Sequence, residues 1–315
     1  MDTREPHTLI WISPVIPQTQ LEGLYHWINL HLTDSGLLPL TSFSKIRTRI
    51  LSEPKEALRL EIDIRSPGDP DAVLRFKELV WMELFAGTFP LERPYALSLR
   101  EESVGRNPFK LICFDMDSTL IDEEVIDEIA RTRGLYEEVA AITERAMQGG
   151  LEFSQSLKER VALFRGIPKA AAEGIIPSLH VSPGGEKLLD YFRFKGVSTA
   201  VVSGGFEFIL KHFQKRLFLD QVYGNVLETD DEDCFTGKVE DPIVDAAYKQ
   251  KLVQRMRENY RAERSETIVV GDGANDLLMM TEAGISVSFC GKPKLTAAVN
   301  TWILDRNLFW IKGLL

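Results

Sequence analysis

Read for the positions of its apolar side chains, the sequence changes character near residue 108. Before that point, period-two and helical stretches alternate. Thr8 to Ser13 is rich in strand formers and stops at Pro14. Thr19 and Glu22 have capping-box spacing ahead of a predicted helix, whose Leu21, Leu24, Ile28 and Leu32 share one face before Gly36 stops it. Ile46, Thr48 and Ile50 alternate with charged residues, as do Leu58, Leu60, Ile62 and Ile64, and Ser52-Glu53-Pro54-Lys55 supplies a turn between them. Asp69 and Pro70 open a second helix striped by Phe76, Leu79, Val80 and Leu84, and Tyr95 to Leu99 closes the series.

Glu101 to Pro108 is polar and carries Gly105, Asn107 and Pro108, the composition of a linker. Beyond it, short apolar runs at Phe109–Phe114, Thr199–Val202, Thr267–Val270, Ile285–Phe289 and Thr301–Leu304 alternate with helical patterns. Unbroken apolar runs of this length are what parallel strands need when both faces are covered. Between the first and second runs, residues 122–182 show helical periodicity only. Val139, Ile142 and Ala146 mark one helix, and Leu157, Val161 and Phe164 another. The expected fold is α/β: a Rossmann-like parallel sheet in 105–315 with a helical cap inserted at about 122–182, preceded by an α+β unit in 1–104. In that unit the order βαββαβ is the split arrangement of ferredoxin-like domains. It resembles the small ACT-type modules that dimerise or bind amino acids. Such modules often place a glycine after their first strand, where backbone approaches a ligand. Ser13-Pro14-Val15-Ile16-Pro17 has none, so the expectation is an ACT-like unit with a structural role, or one through which a homodimer forms.

Composition narrows the classes of function. The 315 residues exceed what one compact domain usually needs. A net charge of −10 argues against a duplex-binding surface, which requires clustered Lys and Arg, so no nucleic-acid partner is expected. Cys113, Cys234 and Cys290 are odd in number and far apart, which fits neither a disulfide framework nor a zinc site. Buried, inert thiols are expected. The start Met1-Asp2-Thr3-Arg4-Glu5-Pro6 lacks the basic and apolar runs of a signal peptide, and no apolar stretch approaches the roughly 20 residues of a membrane span. A cytoplasmic protein without a membrane partner is the expectation.

Three of the apolar runs end in polar residues, where open α/β sheets collect ligands. Asp115-Met116-Asp117-Ser118-Thr119 follows the first. A turn at Asp115 would let both carboxylates converge and hold a hard cation such as Mg²⁺ through oxygen; the same residues also serve as helix N-caps. Ser203-Gly204-Gly205 follows the second and could grip phosphate oxygens through a hydroxyl and amides, or form a plain tight turn. Gly271-Asp272-Gly273-Ala274-Asn275-Asp276 follows the third. Its spacing does not fit a calcium loop, and Asp276 is also placed to cap the next helix. Lys249 lies in an amphipathic helix over Asp245 to Asn259, where a lysine usually covers a solvated face.

Taken in order, D-x-D-S-T, S-G-G, the helical Lys and G-D-G-x-N-D resemble the haloacid dehalogenase superfamily of aspartyl phosphotransferases. Glu124-Val125-Ile126-Asp127-Glu128-Ile129-Ala130, Ala146-Met147-Gln148-Gly149, Phe153-Ser154-Gln155-Ser156-Leu157 and Arg160-Val161 are similar to the phosphoserine phosphatase family within it, over residues 108 to 315. The resemblance implies Mg²⁺-dependent hydrolysis of O-phospho-L-serine, the last step of serine biosynthesis. It makes Asp115 the nucleophile and Asp117 the general acid and base. Mg²⁺ would rest on the Asp115 side chain, the Asp117 carbonyl and Asp272. Lys249, Ser203, the Gly204 amide and Asn275 would hold the phosphoryl group. For the substrate's other end it implies Glu124 at the ammonium, Arg160 at the carboxylate, and Met147 and Phe153 around the pocket. Two other outcomes use the same machinery: transfer to an alcohol such as homoserine, or hydrolysis of another small phosphomonoester.

Overall fold

The computed structural model describes residues 7–39, 47–65, 71–86, 89, 93–101 and 103–315. Strand β1 (His7–Ser13) leads into helix α1 (Gln18–Asp34), and a short β2 (Leu38–Pro39) precedes β3 (Arg47–Leu51) and β4 (Ala57–Arg65). Helix α2 (Ala72–Ala86) and β5 (Ala96–Glu101) follow. The antiparallel pairs are β1 with β4, β1 with β5, β3 with β4 and β2 with β4. Leu58, Leu60, Ile62 and Ile64 face inward as their spacing predicts. Strand β3 departs from expectation: it lies at an edge, and Thr48 and Ile50 point to solvent. Helix α1 has Pro17 at its N-cap with no side-chain cap hydrogen bond, and the side chain of Thr19, of the expected capping box, lies outside the described residues. Ile46, Asp69 and Pro70 lie outside the described residues.

The remainder begins with β6 (Leu111–Phe114). Helices α3 (Val125–Arg133), α4 (Tyr136–Met147), α5 (Phe153–Ala162) and α6 (Lys169–Glu173) then form a group entered and left side by side, where Ile121 pairs with Val181. The chain returns through α7 (Gly185–Phe194), β7 (Ser198–Phe206), α8 (Glu207–Leu217) and β8 (Gln221–Asn225). A hairpin, β9 (Leu227–Thr229) and β10 (Phe235–Val239), stands apart from the main sheet, and periodicity did not predict it. Next come α9 (Ala246–Tyr260), β11 (Thr267–Gly271), α10 (Leu277–Met280), β12 (Ile285–Phe289), α11 (Pro293–Ala298), β13 (Thr301–Ile303) and α12 (Trp310–Leu314).

One sheet runs through the chain in the order β2-β4-β1-β5-β13-β12-β11-β6-β7-β8. The block from β13 to β8 is parallel. Its strands alternate between two buried faces: Ile112, Phe114, Val201, Ile268 and Val270 pack on one side, and Leu111, Cys113, Ala200, Val202 and Val269 on the other. Both faces are covered, which is why these segments read as unbroken apolar runs.

The seam is antiparallel. Ala96, Leu97 and Ser98 pair with Ile303, Trp302 and Thr301, and the Ser98 and Thr301 hydroxyls lie 2.8 Å apart. Helix α12 crosses the seam. Trp310 stacks on Tyr95 with ring centroids 4.9 Å apart, and the Gly313 carbonyl accepts from Arg59 Nε at 2.9 Å. The stretches on either side of residue 105 are therefore layers of one sheet, not beads on a linker. Among the described residues no helix is long and apolar enough to cross a membrane. Of the cysteines only Cys113 is buried; Cys234 is half-buried and Cys290 exposed, contrary to the expectation of three buried thiols.

Removing residues 1–104 would leave β13 with an unpaired edge beside a bared Trp302, the kind of edge that templates association. We expect residues 105–315 alone to unfold at lower temperature than the full chain and to self-associate, read by thermal unfolding and by light scattering after size exclusion.

Candidate active site

Strand β6 ends at Phe114, and Asp115 turns the chain. Its amide donates to the Val270 carbonyl at 2.9 Å while its Oδ1 accepts the Met116 amide at 2.7 Å. In the wide turn Met116–Leu120 that follows, Ser118 takes a φ of +55°. This break in the strand is what lets two carboxylates one residue apart act on each other. Asp117 Oδ1 accepts the amide of Val125, the first residue of α3, at 3.0 Å. Burial first, then the charges of Glu124 and Asp115, hold the Asp117 carboxyl well above the usual carboxylate range. A carboxyl whose pKa is raised holds its proton more firmly, which suits a proton donor.

Ser203-Gly204-Gly205 forms the carboxyl end of β7, where the register with β8 shifts between Val202 and Phe206. Ser203 is buried, and its Oγ accepts the Gly205 amide at 2.9 Å. Buried Asn225 braces this loop: its Nδ2 donates to the Gly204 carbonyl at 2.7 Å and its Oδ1 accepts the Val244 amide at 2.8 Å. Both glycines are required by space. A Cβ at Gly205 would come within 2.8 Å of Asp117 Oδ2, and one at Gly204 within 2.9 Å of the Phe153 ring.

The third loop follows β11. Gly273 donates its amide to Asp276 Oδ2 at 3.1 Å, and a Cβ at Gly271 would run into the Asp276 carboxylate. Asn275 Nδ2 donates to Asp115 Oδ2 at 3.2 Å and to Asp276 Oδ1 at 3.1 Å, tying this loop to the first. From α9, Lys249 Nζ reaches Asp115 Oδ2 at 2.9 Å and Asp276 Oδ1 at 2.8 Å, with only 1% of its side chain exposed. Burial alone would lower its pKa, but the two carboxylates outweigh that and hold the ammonium charged. At an effective dielectric constant of about 20, unit charges at such distances attract by roughly 6 kcal/mol. Desolvating each ion costs several kcal/mol, so the cluster adds little net stability. What it does is hold a cation against Asp115.

Asp115, Asp272 and Asp276 each bring a carboxylate oxygen to within 4.8 Å of the others. Burial and then Asp115 push Asp276 up to about 7. Lys292 Nζ stands 3.3 Å from Asp272 Oδ2, and the Lys292 amide donates to the Asp272 carbonyl at 2.8 Å. Three close carboxylates contacted by two ammonium groups leave a surplus of negative charge, and an all-oxygen donor set suits a hard cation.

Over these loops stand residues of the helical group. Glu124 Oε1 accepts from Ser118 Oγ at 2.9 Å, and desolvation raises its pKa. Phe153 opens α5 and lies against Gly204. Arg160, two turns further along α5, is half-buried; its Nε donates to the Ser156 carbonyl at 3.3 Å. Burial lowers its pKa while Asp127, Glu124 and Asp117 oppose that shift, so the guanidinium stands in their field. Among the described residues no carboxylate is in ion-pair contact with it. Met147 ends α4, but its side chain lies outside the described residues.

The fold thus gathers Asp115, Asp117, Ser203, Gly204, Lys249, Asp272 and Asn275 at three strand ends, with Glu124, Phe153 and Arg160 above them. Asp276, part of the G-D-G-x-N-D pattern and also placed to cap a helix, is a fully buried partner of Lys249. Two contributors were not picked out from sequence. Asn225, a polar residue ending a strand, could have been found by the reasoning that found Ser203. Lys292 sits in a loop with no sequence signal. Asp117 does not bring its carboxylate to the group of three.

A model of haloacid dehalogenase-like hydrolases matches residues 109–284. The chain is 42% identical over 205 residues to a phosphoserine phosphatase of Idiomarina loihiensis, covering 65% of this chain and 93% of that protein. A haloacid dehalogenase family hydrolase of Salmonella enterica serovar Typhi superposes with a TM-score of 0.76 at 25% identity, over 96% of this chain and 97% of that one. A phosphoserine phosphatase captured as a phospho-aspartyl intermediate analogue superposes with a TM-score of 0.62 at 37% identity, over 66% of this chain and all of that one (100%).

Two substitutions test the packing that builds the site. Gly205→Ala should lower kcat about 10²-fold by displacing Asp117, while the urea midpoint reports less than about 1 kcal/mol lost. Lys249→Met should destabilise the fold by about 3 kcal/mol at neutral pH, because it strands two buried carboxylates.

Proposed function

Because the chain belongs to the haloacid dehalogenase-like hydrolases, we propose that it hydrolyses O-phospho-L-serine to L-serine and phosphate through an aspartyl-phosphate on Asp115. The observation that carries this reading is the buried contact of Lys249 Nζ with Asp115 Oδ2 at 2.9 Å, beside an Asp117 carboxyl whose pKa is raised by burial. Asp115 attacks phosphorus, and the bond from phosphorus to the serine oxygen breaks as Asp117 gives that oxygen its proton. Asp117, now a carboxylate, takes a proton from water. The resulting oxygen attacks phosphorus, the bond to Asp115 breaks, and phosphate leaves. Ser203 Oγ, the Gly204 amide, Asn275 and Lys249 hold the phosphoryl oxygens throughout, and such preorganised donors are worth about 3 kcal/mol each in a transition state.

The donor set fits Mg²⁺, which Asp115, Asp272 and the Asp117 carbonyl would hold, with Asp276 steadying Lys249. When bound, the ion supplies neutralising charge for a carboxylate meeting a phosphate dianion. Substrate choice follows from the residues above the loops. The Glu124 carboxylate suits an ammonium, and the Arg160 guanidinium, with no ion pair among the described residues, suits a carboxylate that can accept two hydrogen bonds. Phe153 against Gly204 narrows the pocket.

Phosphate release from L-phosphoserine should require Mg²⁺, stop with a chelator, and vanish in Asp115→Asn with the thermal midpoint retained; acid-trapped phosphoenzyme in that variant would contradict the nucleophile. Arg160→Ala should raise KM for phosphoserine at least about tenfold, or 1.4 kcal/mol, with little change for p-nitrophenyl phosphate. Equal losses on both substrates would remove the carboxylate role. Phosphohomoserine formed on adding homoserine would show transfer instead of hydrolysis.

A further inference from the structure

At the end of the sheet opposite the active site, a cleft of about 560 Å³ lies between α2 and the segments that precede β11, β12 and β13. Its walls come from both halves of the chain. Lys77 projects from α2, Ser103 belongs to the connection after β5, and Arg257, Arg264 and Ser265 come from the end of α9 and the turn beyond it. Hydrogen-bond donors here outnumber acceptors. Lys77 is half-buried and has neither a hydrogen bond nor an ion pair among the described residues. Its burial alone lowers its pKa, with only Glu78 opposing. Arg264 and the hydroxyls of Ser103 and Ser265 also lack partners among the described residues. Arg257 is held by Glu282 Oε2 at 2.6 Å through Nη1 and by the Ala262 carbonyl at 3.3 Å through Nε, which leaves Nη2 over. Of the two acids in the walls among the described residues, Glu263 already accepts a backbone amide in a capping box, so only Glu101 of these is uncommitted.

A cation drawn partly out of water without a counter-charge is unfavourable, and guanidinium and hydroxyl donors at one cleft favour an oxyanion. We propose that this cleft is a second ligand site, taking a small doubly charged oxyanion, either a dicarboxylate or a phosphate monoester, between Lys77 on one side and Arg257 and Arg264 on the other. Bound there, the anion ties α2 to the parallel half of the sheet and reinforces the seam.

The test uses the full chain with Mg²⁺. Malonate and methyl phosphate are each titrated by calorimetry into wild type, Lys77→Gln, Arg264→Gln and Arg160→Ala. We expect saturable binding of at least one probe that weakens about tenfold or more in both Lys77→Gln and Arg264→Gln, is unchanged in Arg160→Ala, and raises the thermal midpoint of wild type and Arg160→Ala but not of the Lys77 and Arg264 variants. Whichever probe binds more tightly assigns the carboxylate or the phosphate source. Arg264 is exposed, so its variant decides the matter even if Lys77→Gln does not fold. Absence of saturable binding, or equal affinity in wild type and the folded variants, overturns the proposal. Phosphatase activity of Lys77→Gln should match wild type, so failure here is separate from failure of the catalytic reading.

Discussion

The buried ammonium of Lys249 between Asp115 and Asp276 is the contact on which the rest of the site depends. A carboxylate cannot approach a phosphate dianion unless positive charge is already in place, and a lysine removed from water is a fixed cation only while carboxylates surround it. The parallel sheet makes this arrangement possible. Strands β6 and β11 are neighbours, their carboxyl ends open at the same level, and α9 crosses beside them carrying Lys249. Asn275 binds both carboxylates and so locks the two loops in register.

Small residues let these groups close up. Gly205 faces Asp117, Gly271 faces Asp276 and Gly204 faces Phe153, each within a distance that a side chain would violate. Asp117 is also tied to the helical group above, because the first amide of α3 holds its Oδ1. Movement of that group would shift the Asp117 carboxyl. The same group carries Glu124, Phe153 and Arg160, so under the proposed function recognition and proton transfer share one support.

The antiparallel seam between β5 and β13 changes how the first hundred residues are understood. They extend the catalytic sheet instead of hanging from it, and α12 at the end of the chain packs back across the join through Trp310 and Gly313. A cleft lined from both sides of that join, with Lys77 and Arg264 in its walls, is on the proposed reading a place for an anion to act on both halves together.

The sequence by itself determined the parallel strands, since a strand covered on both faces must be an apolar run, and it located the polar strand ends where chemistry collects. Periodicity also marked the buried faces of α1, α2, β4 and α5. It failed where a residue's role depends on what lies across space. Thr48 and Ile50 alternate as an inward face should, yet β3 is an edge with nothing packed beyond it. By periodicity alone Lys249 was an ordinary helical lysine, named only by the ordered motifs; Asp276 was a motif residue also placed to cap a helix, and Lys292 carried no signal because its partner is twenty residues away. Only the tertiary structure decided these, because the energy of a charge is set by its distance to other charges and to water, and neither is written in local spacing.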